Sequence, residues 1–230
     1  MKAMKFEEQD LPDINDYASL AEQYIPGRRA IFSIVEASFL ELLPSGPTKI
    51  LVVGAGGGEE ILRLGLENPS WSFVGVDTNE PMVDLARRRL AASPVGPRSV
   101  VHATTIDQLD EAGFDAATCI LTAHFVSDDG SKLAFFKAIR ARLKPGAPLA
   151  IVDGVGVNGE AQTELLRRIW KRHAVRNGVA EEAAETHSQN ARKVAVVSGV
   201  RQEELLTGAG FKDLTPIFRG ISIKGWLAFA

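Results

Sequence analysis

The feature that most limits what this chain can fold into is the run Ile50-Leu51-Val52-Val53-Gly54-Ala55-Gly56-Gly57-Gly58-Glu59-Glu60. The apolar residues read as a buried strand, and the glycines allow a turn tight enough to pass directly into a helix. Such a turn lets a ligand approach bare backbone where a side chain would clash, and the helix start offers N–H groups. From Lys49 to about Asp153 apolar runs alternate with amphipathic stretches, the pattern of a parallel sheet with crossover helices. The spacing predicts strands at 49–53, 72–77, 99–104, 114–122 and 148–153, with helices at 58–66, 81–92 and 130–143. Pro81 suits a first helical turn, Asp128 or Asp129 can cap the third helix, and Lys144-Pro145-Gly146 stops it. On that helix Leu133, Phe136, Ile139 and Leu143 form one apolar face for the sheet.

The flanks differ in character. Ahead of the first strand, Ile31, Ile34, Val35, Ser38, Phe39 and Leu42 recur at helical spacing, and Pro44-Ser45-Gly46-Pro47 closes that helix. Between Val155 and Gly199 charges multiply and no parallel strand is visible. Leu165, Leu166, Ile169 and Trp170 mark a helix there, so the segment reads as an insertion covering the sheet's edge. A short helix at 202–207 follows, then strands at 213–218 and 221–229 joined around Arg219-Gly220 as an antiparallel pair. One domain over residues 1–230 is expected, with a helical lid at about 14–44 and the insertion at about 155–199.

A net charge of −3 supplies no positive field to draw in a phosphate backbone, so nucleic acid is not expected as a partner. The single cysteine, Cys119, cannot form an internal disulfide and lies in an apolar run, as core. No Cys/His spacing points to zinc, and no metal is expected. Residues Met1 to Asp10 lack an apolar leader and no later run is long enough to span a bilayer, so the expectation is a cytoplasmic protein away from the membrane; assembly as a homodimer stays open.

The chemistry begins with Asp77 at the end of the second strand, a little over 20 residues past the first glycine. A carboxylate there is placed to accept hydrogen bonds from ribose hydroxyls, so glycine turn plus acid indicates an adenosine-containing cofactor. A dinucleotide fingerprint counted from Gly54 needs a small residue at 59, where the chain has Glu59. Glu59 and Glu60 suit a helix dipole but repel a pyrophosphate. S-adenosylmethionine (SAM), with a positive sulfonium and no phosphate, meets no such objection.

These motifs resemble those of the class I SAM-dependent methyltransferase family from about residue 28 onward. Leu51 to Gly58 stands where that family has its first motif, and Val74-Gly75-Val76-Asp77 with Pro81-Met82 is similar to its second-strand segment. His102 to Asp107, Phe114-Asp115-Ala116, Leu143-Lys144-Pro145-Gly146-Ala147 and Ala209-Gly210-Phe211 follow in the family's order. The resemblance implies a three-layer α/β/α Rossmann-like fold, a seven-stranded mixed sheet with its last strand antiparallel. It also implies SAM along the strand ends and S-adenosyl-L-homocysteine (SAH) as product. On that likeness Gly54, Ala55, Gly56 and Gly58 back the methionine part and Asp77 holds the ribose. Thr78 and Met82 border the adenosine, Thr105 and Ile106 flank adenine, and Leu121 lines the reacting end. Val52 and Thr105 stand where the family often has acids, which leaves the methionine amino group and adenine N6 to backbone acceptors or water.

His124 closes the fourth strand at the edge where an acceptor would sit, and an imidazole there can serve as general base or as polar lining. His102, His173 and His187 have no comparable placement. Tyr17, Tyr24, Arg28 and Arg29 precede the sheet, where the family often folds a segment over its active site, and Trp170 sits in the insertion; Tyr17, Tyr24, Arg28 and Trp170 are the candidate substrate contacts. The expected activity is methyl transfer from SAM to a small-molecule acceptor, with alignment of the reactants as the protein's main task. An NAD-dependent oxidoreductase and a SAM-binding protein without catalysis remain open alternatives. So does an RNA-modification-linked SAM enzyme, because Tyr24-Ile25-Pro26-Gly27 is similar to the carboxymethylating tRNA-wobble enzymes.

Overall fold

A computed structural model describes residues 20–230, so the candidate Tyr17 lies outside the described residues. Seven strands form one sheet in the order β3-β2-β1-β4-β5-β7-β6. They are β1 (Thr48–Val53), β2 (Trp71–Asp77), β3 (Ser99–Ala103), β4 (Ala116–Ile120), β5 (Pro148–Gly154), β6 (Lys212–Gly220) and β7 (Ile223–Phe229). The first five run parallel, and β7 enters antiparallel between β5 and β6. Strand order reverses beside β1, and in open α/β sheets such a switch point leaves a crevice outside the strand ends. The expected Rossmann-like sheet is therefore present.

The longer helices are α1 (Arg28–Leu42), α2 (Glu59–Glu67), α3 (Glu80–Ala91), α4 (Ser131–Arg142), α5 (Ala161–Arg176), α6 (Glu181–Asn190) and α7 (Gly199–Gly208), with short 3-10 turns at Gly96–Arg98, Ile106–Gln108 and Ala123–Phe125. Alternate residues of the parallel strands point to opposite faces, and both faces are covered, which is why these strands read as unbroken apolar runs. One core joins Val52, Ile50 and Phe73 to Val35, Phe39, Ile61 and Val83; the other joins Leu51, Val53 and Leu149 to Phe136, Ile139, Leu206 and Trp226. Each such side chain contributes about 1.5–3 kcal/mol by leaving water.

Several local expectations shift. On α1 the buried face uses Phe32 with Ile31, Val35 and Phe39, while Leu42 is exposed. Strand β4 is shorter than the apolar run because Leu121 turns into the left-handed region, φ 54, and ends the pairing. Gly130, not Asp128 or Asp129, is the N-cap of α4, and Asp129 Oδ1 accepts from Ser131 N instead. The hairpin tip sits at Ile221-Ser222 rather than Arg219-Gly220, because Gly220 pairs with Ile223 and Ile221 takes φ 53. The insertion holds two helices, and α5 buries Thr163, Arg167 and Ala174, leaving Leu165 and Ile169 exposed. It walls the cavity at the strand ends instead of covering the sheet's edge.

Candidate functional site

Past Val53 the chain turns through Gly54 (φ 77), Gly56 (φ 49) and Gly58 (φ 77), all in the left-handed region that L side chains disfavour. A Cβ on Gly54 would stand 2.0 Å from Thr122 Oγ1, and one on Gly58 would stand 3.0 Å from the Ala86 Cβ. Tight packing thus requires both, against the β4 loop and α3. Gly58 lies behind the cavity wall rather than in it.

The turn's donors are already used. Gly54 N and Ala55 N donate to Val76 O at 2.8 and 3.0 Å, Gly58 N to Ala55 O at 2.9 Å, and Gly56 N to Asp77 Oδ2 at 2.8 Å. These four precede the helix start, whose N–H groups are the ones expected to be free; the turn itself offers a bare surface, which suits an uncharged or cationic ligand better than a phosphate. The other oxygen of Asp77 accepts from Asn79 N at 2.9 Å, and Asn79 Oδ1 accepts from Met82 N at 3.2 Å to cap α3. Asp77 is held at the tip of β2, between the turn and α3, on the cavity wall.

That cavity has a volume of about 1030 Å³, at the upper end of the range of small-molecule sites, about 300–1,000 Å³. Along one side it brings together Gly54, Ala55, Gly56, Asp77, Thr78, Met82, Thr105 and Ile106. Leu121 also lines it, its left-handed backbone held by a 2.7 Å bond from its N–H to Val152 O. Thr105 Oγ1 is buried here with no hydrogen-bond partner, as is Glu60 Oε1. Buried polar atoms left unpaired are few in native proteins, and two on one cavity wall fit a ligand that satisfies them.

At the other end His124 forms a direct hydrogen bond through Nδ1 with Asp153 Oδ1. Asp153 is fully buried at the end of β5 and also accepts from its neighbour Gly154 N at 2.8 Å. An ionised carboxylate only accepts, so the contact places the proton on Nδ1 and leaves Nε2 as the acceptor. Ala195 closes this corner: its N–H donates to His124 O at 2.8 Å, and its carbonyl accepts from the buried Lys132 Nζ at 2.6 Å. Burial lowers the Lys132 ammonium, against the raising influence of Asp153.

Tyr24, Trp170 and His187 form the roof, with ring centroids 5.5 Å apart for Tyr24–Trp170, 4.5 Å for Tyr24–His187 and 4.9 Å for Trp170–His187. His187 therefore does have a placement at the site. Desolvation, then the nearby His124, hold its imidazole below the ordinary value. Arg28 also reaches the cavity, but its guanidinium forms a forked pair with Glu59 at 2.7 and 2.5 Å. Burial alone would raise the Glu59 carboxyl, yet hydrogen bonds and charge from Arg28 and Arg63 hold it below the usual range. Arg29 is exposed. Sequence reading missed Asp153, His187 and Lys132; for Asp153 a signal existed, since an acid ending strand five lies beside the end of strand four.

Residues 51–149 match the family model described as a methyltransferase domain. Over that stretch the chain is similar to a methyltransferase domain. Its sheet order, antiparallel last strand and crevice are those of the SAM-dependent methyltransferase fold. Carboxy-S-adenosyl-L-methionine synthase of Campylobacter hominis is 23% identical over 188 residues, 78% of this chain and 76% of that protein. A SAM-dependent methyltransferase from Aquifex aeolicus superposes with a TM-score of 0.61 at 18% identity, covering 98% of this chain and 99% of that one. Human N-acetylserotonin methyltransferase in complex with SAM gives a TM-score of 0.64 at 15% identity, over 97% of this chain and 56% of its own. This chain spans just over half the length of several of the methyltransferase structures it resembles. Among the described residues no helix is long and apolar enough to cross a membrane, and no cluster of His, Cys, Asp and Glu is disposed to hold a metal ion.

Proposed function

We propose that this methyltransferase domain binds SAM along Gly54, Ala55, Gly56, Asp77, Thr78, Met82, Thr105, Ile106 and Leu121 and transfers its methyl group to a small molecule. One observation carries the reading: Asp77 is fastened to the glycine turn through Gly56 N and faces a cavity whose turn donors are largely spent. That surface suits a nucleoside sulfonium. SAM supplies a methyl group already activated for displacement, so this chain's residues mainly orient the partners and exclude water. The cavity has room beyond the cofactor side, under Tyr24, Trp170 and His187, for a small acceptor, and Tyr17 in the preceding segment stays a candidate contact. His124, oriented by Asp153, takes the acceptor's proton at Nε2. The N-terminal segment and the insertion act as a lid on a single domain. Calorimetry with SAM and SAH tests the reading, followed by detection of SAH when acceptors are supplied; no heat with either ligand at millimolar concentration overturns it.

A second reading has SAM itself as the substrate that is modified. It rests on the likeness to the carboxy-SAM synthase, which extends over 78% of this chain. Mass spectrometry of the nucleoside products separates the two: SAH for methyl transfer, a carboxylated SAM for the alternative.

A further inference from the structure

The first-motif position that often carries an acid is Val52 here, and it is fully buried in the apolar core. A carboxyl nevertheless reaches the cavity, from the helix instead of the strand. Glu60, in the first turn of α2, is only 8% exposed, lines the cavity two residues past Gly58, and has its Oε1 without a hydrogen-bond partner. The neighbouring carboxyls are engaged: Glu59 is bound by Arg28 and Arg63, and both oxygens of Asp77 accept backbone N–H groups. Around Glu60 stand Arg28 from α1, Glu59 from its own helix, and Thr118 and Cys119 from β4; the Thr118 hydroxyl lies beside it without hydrogen-bond geometry. We propose that Glu60 is the carboxylate that receives the α-ammonium of SAM's methionine portion.

This rests on the SAM reading above and names the group at one end of it. A buried carboxyl facing an ammonium gains its missing partner, and a charge-assisted hydrogen bond of this kind is among the stronger ones. Burial, against the lowering influence of the adjacent Thr118 hydroxyl and then of Arg28, pushes the Glu60 carboxyl up to about 7 in the free protein. An ammonium beside it favours the ionised form, so SAM binding below neutral pH displaces the Glu60 proton to solvent. Affinity therefore rises several-fold from pH 6 to pH 7.5.

The test is calorimetry on the whole chain with SAM, SAH and 5′-methylthioadenosine, which keeps the nucleoside and its sulfur but lacks the amino-acid portion. Glu60→Gln is expected to weaken SAM and SAH about tenfold, as loss of one charge-assisted hydrogen bond does, to remove the pH dependence, and to leave methylthioadenosine unchanged. Unaltered SAM affinity in Glu60→Gln overturns the proposal while leaving the SAM reading intact. Equal weakening of all three ligands overturns it too, since the substitution then acts on the shape of the site. If the wild-type protein binds none of the three, both this proposal and the reading beneath it fall.

Discussion

His124 Nδ1 and Asp153 Oδ1 are joined across the ends of adjacent strands β4 and β5, so that a fully buried carboxylate orients an imidazole at the cavity wall. In the proposed reaction His124→Ala is expected to lower kcat by about 10²–10⁴-fold without changing the Kd for SAM. Asp153→Asn, which removes the acceptor that selects the tautomer, lowers kcat with its pH profile displaced. Full kcat in His124→Ala, with acceptor and SAM saturating, rules out the general-base role.

Asp77 binds the turn and, in the proposed complex, the ribose. Asp77→Ala is expected to weaken SAM binding by about 1.5–3 kcal/mol, the scale of a hydrogen bond to a charged group. Because Gly56 N and Asn79 N also lose their acceptor, thermal unfolding is measured alongside. Unchanged affinity removes Asp77 from the site.

Gly54→Ala places a methyl group 2.0 Å from Thr122 Oγ1 at a backbone φ of 77. The left-handed conformation costs about 1–2 kcal/mol for a non-glycine residue and overpacking about 1–3 kcal/mol. In a domain of this size each kcal/mol moves Tm by about 2–4 °C. Thr122→Gly added to Gly54→Ala recovers the overpacking share alone; a single variant that melts with the wild type contradicts the packing described.

Glu60 carries a stability signature even without ligand. Burial raises its carboxyl from the ordinary carboxylate value to about 7, so the folded state holds a proton that the unfolded state releases. Stability from this group is full below about pH 4.5, declines as pH rises, and levels off above about 7, a loss of about 3 kcal/mol in all. Glu60→Gln flattens this slope in urea unfolding measured from pH 5 to 8. A wild-type curve with no such slope shows that the carboxyl ionises freely.

Arg28 and Glu59 form a forked, nearly buried pair that anchors α1 to α2. Arg28→Ala leaves Glu59 with Arg63 as its remaining partner and is expected to cost about 1.5–3 kcal/mol at pH 7, the scale of a lost hydrogen bond to a charged group. Because the Glu59 carboxyl is lowered, the pair's stabilisation is present above the ordinary carboxylate range and is lost as pH falls through the lowered value. Chemical unfolding of both proteins at pH 7 and pH 3 checks this: the difference narrows in acid.

The sequence alone determined the layer order, the glycine turn, Asp77 and most of the cavity wall on which the SAM proposal rests. These features are local: buried parallel strands must be apolar throughout, and a strand that turns directly into a helix needs residues free to take positive φ. The shorter β4 and the displaced hairpin tip depended on single residues, Leu121 and Ile221, entering a region that no apolar pattern marks. Only the tertiary structure decided which charges are spent and which wait. Arg28 and Glu59 are 31 residues apart and His124 and Asp153 are 29 apart, and both pairs meet because parallel strands bring distant loops to one end of the sheet. Whether Glu59 or its neighbour Glu60 keeps an unpaired oxygen depends on which way each side chain leaves one helical turn, and the packing of α1 against that turn sets this.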